Sequence, residues 1–359
     1  MARAIKLFIP GPIEVSEKTW QAFRRPMIGH RSKAFQELYA SVQPSLQKLF
    51  FTKNPVFLST SSAWGVMEGA VRNLCSKKTL NAMNGAFSDK WNGVSASCAK
   101  AADKLQFEWG KPVRPEAVRE KLKAGGYDVF TMIHNETSTG TMSPIAEIAE
   151  VMREFPDVMF VVDAVSSLSA VPVEMDKLGI DVLLVGCQKA IALPPGLTLF
   201  SVSERALKRA DSVGSRGYYF DFVEFLKNHQ NNMTPSTPSV SHIYALQSKM
   251  EEMMAEGLDR RFARHREMQK LAHDWVAREG LEFFAEKGCE SVSLTCVRNN
   301  RKIDVPKMIE RLKERYACVI DGGYGKLKGE TFRISHMGDE TPSTISQLLG
   351  WLDDCLKGL

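Results

Sequence analysis

No block of five or six consecutive Lys or Arg residues occurs in the 359-residue sequence, and the net charge is only +5. A nucleic-acid surface is therefore not expected, although small acidic substrates stay open. There is no Cys-x-x-Cys pair. The seven cysteines, at positions 75, 98, 187, 289, 296, 318 and 355, are odd in number and scattered. They read as reduced packing thiols of a cytoplasmic protein rather than a disulfide framework. The apolar part of MARAIKLFIPGP is too short for a secretory signal. The longer uncharged stretches, such as 190–203, are broken by Pro and Gly, so no membrane span is expected. Internal repeats and low-complexity segments are also missing. What remains is an ordinary globular composition, 44% hydrophobic and 25% charged, long enough for two domains.

The apolar pattern alternates between two periods. Helical spacing runs through Phe35, Leu38, Tyr39 and Val42, and again from Ala63 to Leu74. Strands are expected at 55–58, 79–83, 105–107, 129–134, 158–163, 182–186 and 197–202. Helices are expected at about 89–102, 115–124 and 145–155. This order predicts an α/β fold, a mostly parallel sheet with helices on both faces. The unbroken apolar runs Met159–Val162 and Val182–Val185 suit strands buried on both sides. Beyond about residue 245 the texture changes to a smaller C-terminal α+β domain. It begins with one long helix from His242 to about Gly280. Strands follow at 291–297, 317–321 and 331–335, with helices at 305–315 and 342–356. The expected division is an N-terminal segment (1–15), a large domain (16–245) and a small domain (246–359).

Ligands of open α/β sheets gather beyond the carboxyl ends of the strands, and three polar signals sit at such ends. The stretch FLSTSSAWGVMEGAV (57–71) runs from strand through small hydroxyl residues into a helix. A helix start offers free N–H groups to an anion, although plain capping by Ser or Thr is the simpler account of this stretch alone. In MFVVDAVSS (159–167), Asp163 ends an apolar strand, where a carboxylate is costly without a partner. It could cap the next turn, or hold a metal, a ribose or a protonated ring nitrogen. In DVLLVGCQKAIALPPG (181–196), Lys189 follows the next apolar strand. Burial disfavours an ammonium and makes the amine a better nucleophile; a snorkelling surface lysine is the competing account. An anion cradle, an acid for a ring nitrogen and an amine for a Schiff base together form the protein's side of pyridoxal 5′-phosphate chemistry. The histidines, including His229 and His265, lack metal-ligand spacing, so no metal is expected.

Residues 161–203, VVDAVSSLSAVPVEMDKLGIDVLLVGCQKAIALPPGLTLFSVS, resemble the class V pyridoxal-phosphate aminotransferases. Within that family they are most similar to the alanine–glyoxylate and serine–pyruvate (serine–glyoxylate) group. PGPIEV (10–15), the 59–69 segment, HNETSTG (134–140) and GKLKGETFRISHMGD (325–339) extend the resemblance over nearly the whole chain. It implies a fold type I transferase with a seven-stranded sheet and a cytoplasmic homodimer with shared active sites. Lys189 would carry the cofactor aldehyde and Asp163 would pair with the pyridinium nitrogen. Val165 would pack on one ring face, with Phe87 on the other; Trp91 and Trp64 are the alternatives to Phe87. Thr137 would meet the phenolic oxygen. Ser61, Ser62, Ala63 and Gln188 would hold the phosphate. Thr237, with Thr234 as the less direct match, would complete the phosphate cup from the neighbouring subunit. Arg333 would bind the substrate carboxylate through two parallel hydrogen bonds. Gly11 would bring the N-terminal segment over the pocket, and Arg31, beside His30, could meet a second anion at the mouth.

The implied reaction is ping-pong transfer of an amino group from serine or alanine to glyoxylate or pyruvate. 2-Aminoethylphosphonate–pyruvate transamination is an alternative. A cysteine desulfurase or lyase would need a reactive thiol, and neither Cys289 nor Cys318 has a basic setting. A non-catalytic partner subunit would have no need of Asp163, Lys189 and Arg333 together.

Overall fold

The computed structural model describes residues 5–98 and 100–358. A seven-stranded sheet runs in the order Val56–Ser59, Thr198–Val202, Val182–Gly186, Met159–Asp163, Val129–Ile133, Lys78–Met83, Ala101–Gln106. Thr198–Val202 is antiparallel to both of its neighbours, and the other pairings are parallel. The two apolar runs singled out above explain why the sheet is covered on both sides. Side chains alternate along a strand, so Phe160 and Val162 enter one core cluster with Leu183 and Val185. Met159 and Val161 enter the other, with Val182 and Leu184. At about 25 cal/mol per Å² of buried apolar surface, these double-faced strands contribute much of the driving force for folding.

A five-stranded sheet has the order Lys6–Phe8, Cys318–Gly322, Thr331–Ser335, Leu294–Arg298, Glu282–Phe283. Its core gathers Trp275, Phe332, Ile334, Ile345 and Leu352. The Lys6–Phe8 strand pairs in parallel with Cys318–Ile320, tying the start of the chain to its last third. Among the described residues no helix is long and apolar enough to cross a membrane.

Four expectations need correction. The long helix over 242–280 is two helices, Val240–Glu256 and Leu258–Arg278. Gly257 separates them with φ +84°, a conformation that L side chains avoid. The helix expected over 89–102 spans Ala86–Ser97, and the strand expected at 105–107 spans Ala101–Gln106. That strand lies at the edge of the sheet, paired from Lys78↔Ala101 to Met83↔Gln106, and its mixed exposure hides the strand period. The strand expected over 291–297 is Leu294–Arg298, because Ser291 and Ser293 turn their hydroxyls to Asn135 instead.

The carboxyl ends of the parallel-running strands lie along one edge of the large sheet. Ser59, Ile133, Asp163 and Gly186 all end there, and the chemistry collects at that edge.

Candidate active site

Lys189 leaves the Val182–Gly186 strand in a tight loop. The Cys187 N–H donates to the Leu197 carbonyl at 3.0 Å, and the Leu193 N–H donates to the Cys187 carbonyl at 2.9 Å. The Ala190 carbonyl accepts from the Ser169 hydroxyl at 2.6 Å and from buried Arg261 at 3.3 Å. With its main chain pinned, Lys189 projects into a cavity shared with Ser62, Ala63, Trp64, Phe87, Asn135, Thr137, Asp163, Val165, Ser166 and Gln188. Nζ donates to Thr137 Oγ1 at 2.7 Å and Ser166 Oγ at 3.1 Å, and lies 4.9 Å from the centre of the Phe87 ring.

Burial pushes the Lys189 amine down to about 8, with the Asp163 and Glu136 carboxylates acting in the opposite direction. Burial likewise pushes Asp163 up to about 6, against the Val165 N–H that donates to Oδ1 at 2.7 Å and the nearby Lys189. Each group thus titrates close to neutrality, as acid–base chemistry at physiological pH requires.

The Ala63–Leu74 helix opens onto the same cavity. Its cap residue, Ser62, makes no side-chain capping bond, so its hydroxyl and the Ala63 and Trp64 N–H groups stay available to an anion, while the Gly65 N–H donates to the Ser62 carbonyl at 3.0 Å. Asn135 donates to the Ser166 carbonyl and to the Ser291 and Ser293 hydroxyls, which leaves its Oδ1 buried without a partner at the cavity wall. A buried acceptor of this kind calls for a donor from a bound group. An anion cradle, a cavity lined by the apolar side chains of Phe87 and Val165, a buried acid and a buried amine fit pyridoxal phosphate.

Other expected residues take varied positions. Gly11 has φ +110°, and a Cβ there would lie 2.8 Å from Lys189 Cγ; the Ile13 N–H donates to the Gln188 carbonyl at 3.2 Å. The N-terminal segment therefore lies directly on the lysine stem. Arg333 does not line the cavity but stands beside it, with Nη1 donating to the Thr137 carbonyl at 3.3 Å. Its guanidinium lies 5.5 Å from the Tyr324 ring, which stacks on Phe87 at 5.1 Å. Ser61 is not in the cavity: its hydroxyl is 3.0 Å from that of Ser59, and its carbonyl accepts from Thr198. Thr237 and Thr234 line a separate hollow with Ser59, Thr60 and Tyr219. Of the three aromatic candidates, Phe87 and Trp64 reach the cavity. Trp91 is buried in the core, where Nε1 donates to the Met67 carbonyl. Arg31 is exposed and does not line the cavity.

Sequence reasoning missed Glu136, Ser166, Tyr324 and Asp321. Glu136 is fully buried and accepts from the Ser88 N–H at 2.9 Å and from Ser138 N–H and Oγ at 3.1 and 2.7 Å. It thereby caps the helix that carries Phe87. A Cβ on Gly85 would collide with this carboxylate, which accounts for glycine there. Ser166 was within reach of sequence reasoning, because it lies in the same DAVSS turn as Asp163.

The Aminotransferase class-V family model matches residues 86–331. An uncharacterized aminotransferase of Methanocaldococcus jannaschii is 37% identical over 360 residues, covering 98% of this chain and 93% of that protein. An L-aspartate–glyoxylate aminotransferase of Paracoccus denitrificans is 31% identical over 344 residues, covering 93% of this chain and 87% of that protein. The crystal structure of an alanine–glyoxylate aminotransferase from Nostoc superposes with a TM-score of 0.92 at 25% identity, covering 99% of this chain and 96% of that one. The buried amine, the acid at the neighbouring strand end and these likenesses along the whole chain lead to one conclusion: the chain belongs to the class-V aminotransferases, pyridoxal-phosphate-dependent transaminases of fold type I.

Proposed function

We propose that the protein transfers the amino group of a small neutral amino acid, serine or alanine, to glyoxylate or pyruvate in a ping-pong cycle. The observation that carries this reading is the placement of Lys189 Nζ. It lies over Phe87, bonded to Thr137, whose carbonyl takes a hydrogen bond from Arg333. One reactive amine and one carboxylate-binding guanidinium are then linked through Thr137, the first inside the cavity and the second beside it. The names of two relatives include glyoxylate, with different donors.

Pyridoxal phosphate, when bound, supplies an aldehyde for amine exchange and a ring that accepts an electron pair. In this reading Asp163 holds a proton on the ring nitrogen, and Val165 and Phe87 keep the ring between them. Ser62, Ala63 and Gln188 face the phosphate. Ser61 acts through its bond to Ser59, and Thr237 acts on the site of a second copy of this chain. Thr137 and Ser166 orient Lys189 Nζ, which would take the proton from the donor's α carbon in the first half of the cycle and supply one to the acceptor's α carbon in the second. Arg333 holds the carboxylate so that the α C–H faces that amine. Gly11 closes the strap over the lysine. Of the expected division 1–15, 16–245 and 246–359, the large part acts as the cofactor-binding domain, the small part brings Arg333, and residues 5–15 form the strap, residues 1–4, 99 and 359 lying outside the described residues.

A panel of amino donors tested with glyoxylate and pyruvate decides the matter. Serine or alanine should change the absorbance of the bound cofactor and give the keto acid. If only 2-aminoethylphosphonate does so, the substrate assignment is wrong. Size-exclusion chromatography with light scattering should return a dimer.

A further inference from the structure

We propose that Asp321 makes the substrate pocket selective for amino donors with a single carboxylate and against dicarboxylic ones. The inference rests on the aminotransferase reading above and adds the residue that sorts substrates by charge.

Asp321 lies directly across the antiparallel strand pair from Arg333. Arg333 Nη2 donates to Asp321 Oδ2 at 2.5 Å, Nε donates to the Gly322 carbonyl at 3.1 Å, and Nη1 donates to the Thr137 carbonyl at 3.3 Å. A guanidinium has five N–H donors. One therefore remains on each Nη, enough to receive one carboxylate. The exposures of the two side chains differ sharply, 3% for Arg333 and 47% for Asp321. The arginine is locked in place, while the acid keeps its second oxygen open toward solvent.

An incoming carboxylate thus meets a guanidinium whose charge is already countered. Among the described residues lining the cavity, Lys189 is the cation and Asp163 the carboxylate, with Glu136 buried behind them. The described cavity-lining residues of this chain thus offer no surplus positive charge to a second carboxylate on the same substrate. Asp321 does not itself line the cavity; its charge acts through the pair it forms with Arg333 beside the cavity, repelling such a group, and specificity is commonly built from this kind of repulsion. Alanine, serine, glyoxylate and pyruvate carry one carboxylate and escape the penalty; aspartate and 2-oxoglutarate do not. The relatives named above differ in this respect, one acting on aspartate and one on alanine by name.

The test uses the holoenzyme and its Asp321→Asn variant, which keeps an oxygen facing Arg333, with Asp321→Ser as a second variant. Calorimetric titration with propionate and succinate, which cannot react, measures recognition apart from turnover. Initial rates with alanine and aspartate give kcat/KM. The wild-type protein should favour propionate and alanine, and removing the charge should narrow both preferences by about tenfold or more. A wild-type protein that uses aspartate as well as alanine overturns the proposal. So do unchanged preferences in cofactor-loaded variants, even with a lowered melting temperature, because Asp321 would then be only a structural counter-ion. If no amino acid changes the cofactor absorbance, the aminotransferase reading fails instead, and the propionate and succinate titrations still judge Asp321.

Discussion

Lys189 Nζ donates to Thr137 Oγ1 at 2.7 Å, although the two residues are 52 positions apart in the chain. The same threonine accepts from Arg333 through its main-chain carbonyl. Its side chain thus serves the amine while its backbone serves the guanidinium. Thr137→Val keeps the shape and removes only the hydroxyl. Losing that bond should lower kcat by about tenfold and leave KM for the amino acid nearly unchanged. Steady-state kinetics separates the two parameters.

Lys189→Ala should take up pyridoxal phosphate without developing the visible absorbance of the wild-type protein, and kcat should fall by at least about 10⁴-fold. The wild-type amine has its pKa lowered to about 8, so it is charged below that pH and neutral above it. The initial rate of cofactor capture should rise with pH and level off above about 8. Asp163 favours the charged form of Lys189, so Asp163→Asn should move the midpoint down. Between about 8 and the usual 10.5 the folded chain binds fewer protons at Lys189 than the unfolded chain does. This group therefore adds stability as pH rises across that window. Stopped-flow absorbance and denaturant titration read the two effects.

Glu136→Ala would strand the Ser88 and Ser138 N–H groups that the carboxylate now satisfies. Stability should fall by about 1–3 kcal/mol, and cofactor affinity should fall with it, because the helix bearing Phe87 loses its cap. Glu136→Gln should recover part of both losses. Urea melts and cofactor titration check this.

Gly11→Ala would place a Cβ 2.8 Å from Lys189 Cγ at a residue with φ +110°. The strap or the lysine stem must shift. Activity should drop more than the melting temperature does, since the strain falls on the reacting side chain. Calorimetry and kinetics on the same preparation give the comparison.

The parts of the site that were legible in the sequence share one physical cause. Asp163 and Lys189 each interrupt an apolar stretch that is buried on both faces, and a lone ionisable group in such a setting stands out. Ser62 and Ala63 were legible as a helix start. What stayed hidden depends on how distant segments meet. The pairing of Asp321 with Arg333 is a matter of strand register, and no local pattern sets the register of two separate strands. Glu136 caps a helix that starts some fifty residues earlier. Gly257 interrupts a helix without interrupting its apolar period, so 242–280 reads as continuous. The edge strand at 101–106 is hidden for the opposite reason, because half-exposed positions carry little hydrophobic signal.

The pairing of Lys6–Phe8 with Cys318–Ile320 also bears on the order in which the site comes into being. The Lys6–Phe8 strand is made well before Cys318–Ile320, so it must wait for a partner until that strand emerges. Closing so long a loop is entropically unfavourable until the large sheet has condensed. Lys189 and Asp163 can therefore be in place while the lysine stem still lacks its cover and Arg333 is still unmade. The amine and the guanidinium come into register only once the Thr331–Ser335 strand has been made and has paired.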